Sequence, residues 1–80
     1  MHRNTRLSRR DLDAEIVWRA MRKHADEIAD VRDVLRLEVL RGLQGERIRV
    51  SIADLVAQGR VVGATGGGRI RAVDPEALFA

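Results

Sequence analysis

The spacing of the apolar residues in this 80-residue chain changes at Gly59, and that change restricts the fold more than any other feature. Before Gly59, apolar residues recur at helical spacing in separate runs. After Gly59, residues 60–63 and 69–73 alternate with a period of two, which predicts two short strands joined by a glycine-containing turn over residues 64–68. The sequence therefore predicts one small, mainly α domain with a β-hairpin.

The helical runs predict three helices, with residues 1–9 as a basic, flexible arm and residues 10–80 as the folded domain. We expect the first helix over residues 10–26. The second begins at the N-cap Asp30, is apolar over more than one face, and ends at a left-handed Gly42. The third covers about residues 45–58 and buries a stripe of apolar side chains. Gly59 ends it, and residues 74–76 predict the start of a last short helical turn. The stripe of the third helix consists of Ile48, Ile52, Leu55 and Val56.

The net charge of +3 is unevenly distributed along the chain. Residues 1–10 carry +4, residues 11–40 carry −3, residues 41–73 carry +4, and residues 74–80 carry −2. Fourteen of the 15 basic residues are arginine, whose planar fork matches phosphates and guanine edges. The basic segments therefore favour a nucleic-acid partner.

Several function classes find no support in the composition. The chain has no cysteine, and His2 and His24 have no matching ligand cluster, so we expect no metal and no cofactor. Ser8 and Ser51 lack a base partner, so we expect no catalytic residue, no small-molecule ligand and no enzymatic activity. No run of 18 apolar residues is present, so we expect no membrane span, and the lack of cysteine fits the reducing cytoplasm, where we expect this protein.

The order of the predicted elements and the spacing from residue 42 to residue 61 resemble the winged helix-turn-helix family. The matching pattern is Gly42-Leu43, Ile48, Ile52, Leu55, and Gly59-x-Val61. In that family the Gly-Leu pair forms the turn, the apolar triplet anchors the recognition helix, and Gly-x-Val starts the wing. Arg41 and Gln44 depart from the family, which usually has an apolar residue and a Ser or Thr N-cap there.

The resemblance implies a small, sequence-specific protein that binds double-stranded DNA, as a transcriptional regulator or an accessory factor of a phage or mobile element. Its recognition helix, about residues 45–58, would enter the major groove, and its wing, residues 60–73, would lie on the backbone or in the minor groove. The glycines at 66–68 suit a wing tip better than a nucleotide loop, because a strand follows them and no Gly-Lys-Ser or Gly-Lys-Thr is present. The expected DNA contacts are Arg47, Arg49, Val50, Ser51, Asp54, Gly67, Gly68, Arg69 and Arg71.

Three alternatives stay open at this point. Arg69 and Arg71 can instead form a solvated strand edge. The basic residues Arg3, Arg6, Arg9 and Arg10 can form a minor-groove arm or only aid solubility. Trp18 can lie at the edge of the core or join Leu37 and Leu40 in a homodimer contact.

The alternative function is a winged-helix module for protein–protein interaction, which dimerises or binds a partner through helices one and two. DNA binding instead requires helix three and the wing to form a continuous positive face, clear of Glu46 and Asp54. An exposed apolar patch would favour the interaction module.

Overall fold

The computed structural model describes residues 8–63 and 69–76, and these form a mainly helical domain with a small two-stranded antiparallel sheet. The helices are α1 (Arg9–Lys23), α2 (Val31–Leu35) and α3 (Gly45–Ala57), and the strands are β1 (Val61–Val62) and β2 (Arg71–Ala72). Two 3₁₀ turns, Ala25–Glu27 and Glu38–Leu40, flank α2. Within these described ranges, no helix is long and apolar enough to cross a membrane.

A capping box starts α1. The Ser8 side chain accepts a hydrogen bond from the Asp11 amide, and the Asp11 carboxylate accepts one from the Ser8 amide. The helix begins at Arg9 and ends at Lys23, so its predicted end at residue 26 is wrong. The chain tightens there into the 3₁₀ turn Ala25–Glu27, and Ile28 then extends the backbone and buries its side chain.

The prediction of one long second helix is also wrong. Asp30 caps α2 as expected, with Asp33 completing a second capping box, but α2 has only 5 residues. The backbone becomes extended at Leu37, with φ −64° and ψ 127°, before the 3₁₀ turn Glu38–Leu40. Because this break redirects the chain, Leu37 and Leu40 both face the core, and the extra apolar face of helix two does not exist.

The third helix and its end agree with the sequence. α3 covers Gly45–Ala57, one residue short of the predicted end. Gly59 has φ +76°, a left-handed conformation that suits glycine after a helix. The left-handed conformation predicted for Gly42 is wrong, because the glycines with positive φ among the described residues are Gly59 and Gly63.

The hairpin is present, with a ladder shorter than predicted. Val61 pairs with Ala72 and Val62 with Arg71. The amide of Ile70 also donates to the Ala29 carbonyl at 3.0 Å, which ties the hairpin to the segment between α1 and α2. One core lies between α1, α3 and the hairpin, and its buried residues are Ala14, Val17, Ala20, Met21, Ile28, Val34, Leu37, Leu40, Ile48, Ile52, Leu55, Val61 and Ile70.

Some predictions fall on residues outside the described ranges. The arm residues Arg3 and Arg6, the turn glycines Gly67 and Gly68, and the helical residues expected at 77–79 belong to this group. The expected N-cap before that last turn lies within the described part, where the Asp74 carboxylate accepts a hydrogen bond from the Glu76 amide at 3.1 Å.

Candidate nucleic-acid interface

The outward face of α3 is formed mainly by small side chains. Ala53 and Ala57 are exposed and Val50 is half-buried, and all three lie on the side of α3 opposite the buried Ile48 and Leu55. Arg49 is exposed at one edge of this face and, among the described residues, forms no ion pair. We call Arg49, Val50, Ala53 and Ala57 the outer face of α3.

Arg47 does not lie on this outer face. Its Nε and Nη2 atoms donate to the two carboxylate oxygens of Asp13 on α1, at 2.8 and 2.7 Å. The side chain of Asp13 is only 8% exposed and that of Arg47 is 34% exposed, so the carboxylate is largely withdrawn from water while the arginine is half-buried. The hydrogen bonds from Arg47 hold the pKa of Asp13 below its ordinary value, and the same bonds raise the pKa of Arg47. The structure thus places this predicted DNA contact in an internal α1–α3 bridge.

Asp54 forms a second bridge between the same two helices. Arg10 donates from Nε and Nη2 to the two Asp54 oxygens, at 2.6 and 2.7 Å. The hydrogen bonds from Arg10 lower the pKa of Asp54. Asp54 is therefore a paired carboxylate at the flank of α3, rather than a free acid on its outer face. Arg9, predicted as the last residue of the flexible arm, belongs to the first turn of α1 together with Arg10, which was predicted to start the first helix.

Ser51 was expected on the exposed face of α3, and that expectation is wrong. Its side chain is buried, with 1% exposure, in the packing between α3 and α1. Its Oγ atom has no hydrogen-bond partner in the described part of the chain. Because a buried hydroxyl without a partner is unfavourable, Ser51 is unusual in this fold. It cannot contact DNA without movement of α1 away from α3.

Arg69 and Arg71, the two arginines of the returning arm of the hairpin, have different surroundings. Arg71 is exposed on β2 beside Val62, which is 36% exposed, and forms no ion pair with any residue in 8–63 or 69–76. Arg69 is also exposed, but its Nη2 donates to the backbone carbonyls of Ala25 and Asp26, at 3.4 and 3.2 Å. Arg69 therefore helps to hold the hairpin against the 3₁₀ turn that follows α1, while Arg71 is the more available cation.

Trp18 joins α1 to the residue before β1 and the residue after β2. Its Nε1–H donates to the carbonyls of Arg60 and Val73, at 3.2 and 3.0 Å. The guanidinium of Arg60 lies 4.0 Å from the centre of the indole ring, and that of Arg22 lies 4.8 Å from it. The half-buried Trp18 thus packs at the edge of the core, one of the two roles considered for it from the sequence.

Arg60 extends this contact by an ion pair with Glu15, at 3.0 Å. The hydrogen bond from Arg60 lowers the pKa of Glu15. Sequence reasoning did not predict the ion pairs of Asp13, Glu15 and Arg60. Their partners lie far along the chain, and the only signal was a cluster of three acids at residues 11–15 in a chain whose residues 41–73 carry +4.

The predicted dimer contacts are not supported by the geometry. Leu37 and Leu40 are 7% and 2% exposed, so they serve the core and cannot form a dimer surface without unfolding. The exposed large apolar side chains of α1 are instead Leu12 and Ile16, one turn apart.

His24 is half-buried, with its Nδ1 atom 2.8 Å from a carboxylate oxygen of Glu27, consistent with a structural histidine at the core edge.

A shallow groove lies between the first turn of α1 and the outer face of α3. Its walls are formed by residues of both helices, namely Arg9, Arg10, Asp13, Glu46, Arg47, Val50 and Ser51. Arg9 is exposed at its rim, and Glu46 places one exposed acid beside Val50. Asp54 is paired with Arg10 and so adds no free negative charge to the positive face that DNA binding requires, whereas the exposed Glu46 still does.

No family model, no curated protein and no solved structure matches this chain.

Proposed function

We propose that this protein is a small winged helix-turn-helix protein that binds double-stranded DNA, with the outer face of α3 in the major groove and the hairpin on the backbone. The observation that carries the proposal is the outer face itself. α3 is a surface helix whose outward side chains, apart from the exposed Glu46, are small and are edged by an arginine without a carboxylate partner among the described residues.

Small outward side chains favour close approach to the base edges. An α-helix with its side chains is about 10–12 Å across, and the major groove of B-DNA is about 12 Å wide. Val50, Ala53 and Ala57 add little to the helix diameter, and their methyl groups can contact thymine methyls. Arg49 at the edge can donate two hydrogen bonds to a guanine or contact a phosphate.

The hairpin supplies the second half of the proposed interface. β1 follows α3 after a short turn and packs against it, and β2, which carries the exposed Arg71, pairs with β1. Trp18 and Arg60 hold the hairpin against α1. The proposed DNA contacts are therefore Arg49, Val50 and Arg71, which the sequence also predicted, together with Ala53, which it did not. Arg47, Ser51 and Asp54 are assigned to the α1–α3 contact.

The test is a fluorescence anisotropy titration of a random-sequence duplex at several salt concentrations between about 50 and 200 mM. We expect wild-type affinity to fall linearly with salt on logarithmic axes. Arg49→Ala is expected to weaken binding and to reduce the slope by about 0.9, the contribution of one phosphate contact.

Arg19→Ala is the matched control, because Arg19 lies on the side of α1 that faces away from the core and α3. It removes the same charge and is expected to leave the slope unchanged. Absence of wild-type binding at low salt would overturn the proposal, as would equal losses for Arg49→Ala and Arg19→Ala. A binding-site selection would then separate a sequence-specific regulator from a general accessory protein.

A second candidate function is supported by one observation. Leu12 and Ile16 are 48% and 47% exposed and lie one turn apart on α1, so this face can contact a second copy of the chain or another protein. Sedimentation analysis of the wild type and of a Leu12→Ser/Ile16→Ser double variant tests this role. A dimer that dissociates in the double variant would support it, and a monomeric wild type would leave dimerisation without support.

A further inference from the structure

Two arginine–aspartate forks cross between α1 and α3 in opposite directions. In one, Arg10 of α1 holds Asp54 of α3, and in the other, Arg47 of α3 holds Asp13 of α1. In both, the Nε and Nη2 donors meet the two oxygens of one carboxylate, which is the bidentate geometry that arginine also uses with phosphate. Each fork is thus a ready-made anion site occupied by a carboxylate of the same protein.

The two forks differ in how easily they can open. The Asp13 side chain is 8% exposed, so departure of Arg47 would leave a buried carboxylate without a partner. The Arg10 side chain is 65% exposed and that of Asp54 is 22% exposed, so water can replace either partner if this pair separates. The Arg10–Asp54 fork is therefore the one that an external anion can open.

The Arg10–Asp54 fork also lies beside the proposed DNA interface. Arg10 lines the same groove as Val50, which belongs to the outer face of α3. Arg9 lines this groove as well, so two arginines of the first turn of α1 border the edge of that face. A duplex seated on the outer face would bring its backbone toward this rim.

We propose that Arg10 is a phosphate-binding residue and that Asp54 is its internal competitor, so that a DNA phosphate displaces the Asp54 carboxylate from the Arg10 fork. This inference rests on the proposed function. In the unbound protein, Asp54 orients the Arg10 guanidinium and occupies it. In the complex, the same donors bind a phosphate, and Asp54 is released to solvent. Asp54 thereby lowers the affinity for DNA phosphates, which places more of the binding selectivity on the base contacts of α3.

A double-mutant cycle tests this competition. Wild type, Asp54→Asn, Arg10→Ala and the double variant are titrated with the same random-sequence duplex at low salt. We expect Asp54→Asn to bind about five- to tenfold more tightly than the wild type, within the range of coupling seen between contacting residues. Arg10→Ala is expected to change the affinity by less than about twofold in the wild type but to abolish the gain in the Asp54→Asn background.

Glu46→Gln is the matched control. Glu46 is also an exposed acid of α3 that lines the groove, but it forms no ion pair within the described residues. Its substitution removes the same charge without releasing an arginine, so any gain in affinity should persist after Arg10→Ala. The salt slope gives a second readout, because Arg10→Ala should reduce it by about 0.9 if Arg10 contacts one phosphate in the complex.

Three outcomes separate the inference from the proposed function. A gain in Asp54→Asn that depends on Arg10 supports the competition. Equal effects of Arg10→Ala in both backgrounds, or a gain in Asp54→Asn no larger than in Glu46→Gln, overturn it while the DNA-binding function stands. If neither the wild type nor Asp54→Asn binds the duplex, both the proposed function and the inference fail. Thermal melts of all variants exclude unfolding as the cause of a loss.

Discussion

Ser51→Ala is expected to stabilise this protein, although it is a substitution at a fully buried position. The Ser51 Oγ atom is buried and makes no hydrogen bond within residues 8–63 and 69–76. A buried hydroxyl left without a partner destabilises the folded state by about 1–3 kcal/mol, and alanine is the better helix former by a few tenths of a kcal/mol. The loss of packing around one small atom opposes these terms. We therefore expect a net gain of about 1–2 kcal/mol.

The assay is thermal unfolding followed by circular dichroism or by the fluorescence of Trp18, the single tryptophan. For a domain of this size, the expected gain raises Tm by about 4 to 16 °C. Ser8→Ala is the matched control, because Ser8 is the N-cap of α1 and its side chain accepts a hydrogen bond from the Asp11 amide. Its loss should lower stability by about 1 kcal/mol.

The same substitution is thus predicted to act in opposite directions at two serines. An unchanged or lower Tm for Ser51→Ala would contradict the claim that the buried Ser51 hydroxyl destabilises the fold, because it would mean that the hydroxyl has a hydrogen-bond partner. DNA affinity supplies a second check. Ser51→Ala should leave it unchanged within about twofold, because the hydroxyl is withdrawn from the proposed interface.

Three further predictions concern the hairpin and the response to acid. Gly63→Ala should lower the free energy of unfolding by more than about 2 kcal/mol, because Gly63 has a φ of +91° and the new Cβ would clash with the backbone carbonyl of Arg69. Gly59→Ala is the control, because Gly59 also has a positive φ but has open space around it; it should lower the free energy of unfolding by only about 1 kcal/mol in the same denaturant titration. Trp18→Phe should lower Tm, measured by circular dichroism, since it removes a donor to two backbone carbonyls; an unchanged Tm would contradict that role. Hydrogen bonds from arginines hold the pKa values of Asp13 and Glu15 below their ordinary 3.8 and 4.5, so the unfolded chain binds more protons in acid. These pairs should contribute their full stability at a pH above the ordinary pKa values, and that stability should fall as the pH decreases through the lowered pKa values of the folded protein. Asp13→Asn should therefore flatten a plot of Tm against pH in that range.

The elements with strong local signals could be predicted from the sequence. Ile48, Ile52 and Leu55 recur at helical spacing over about two turns, and the position of α3 agrees with the prediction to within a residue. The end of the third helix at Gly59 and the change to a period of two likewise predicted the hairpin. These features depend on residues close together in the chain, which is why single-sequence reasoning finds them.

The second helix and the site could not be predicted in the same way. The helical spacing of the apolar residues continues past Leu37, and nothing local marks the extended backbone there; the break follows from the need to bury both Leu37 and Leu40 in the core. Ser51 is buried because α1 covers one flank of α3, and a periodic pattern does not reveal which neighbour lies on which flank. Asp13 and Arg47 are 34 positions apart in the chain, so no local pattern indicates their ion pair, and Arg47 was predicted to face outward.

The most direct test of the proposed interface is a map of backbone amide shifts in ¹⁵N-labelled protein during titration with a short duplex. We predict that the largest shift changes occur at Arg49, Val50 and Ala53 on α3 and at Arg71 on β2, with smaller changes in the first turn of α1. Changes concentrated around Leu12 and Ile16, or no changes at all at low salt, would contradict the assignment of this face to DNA.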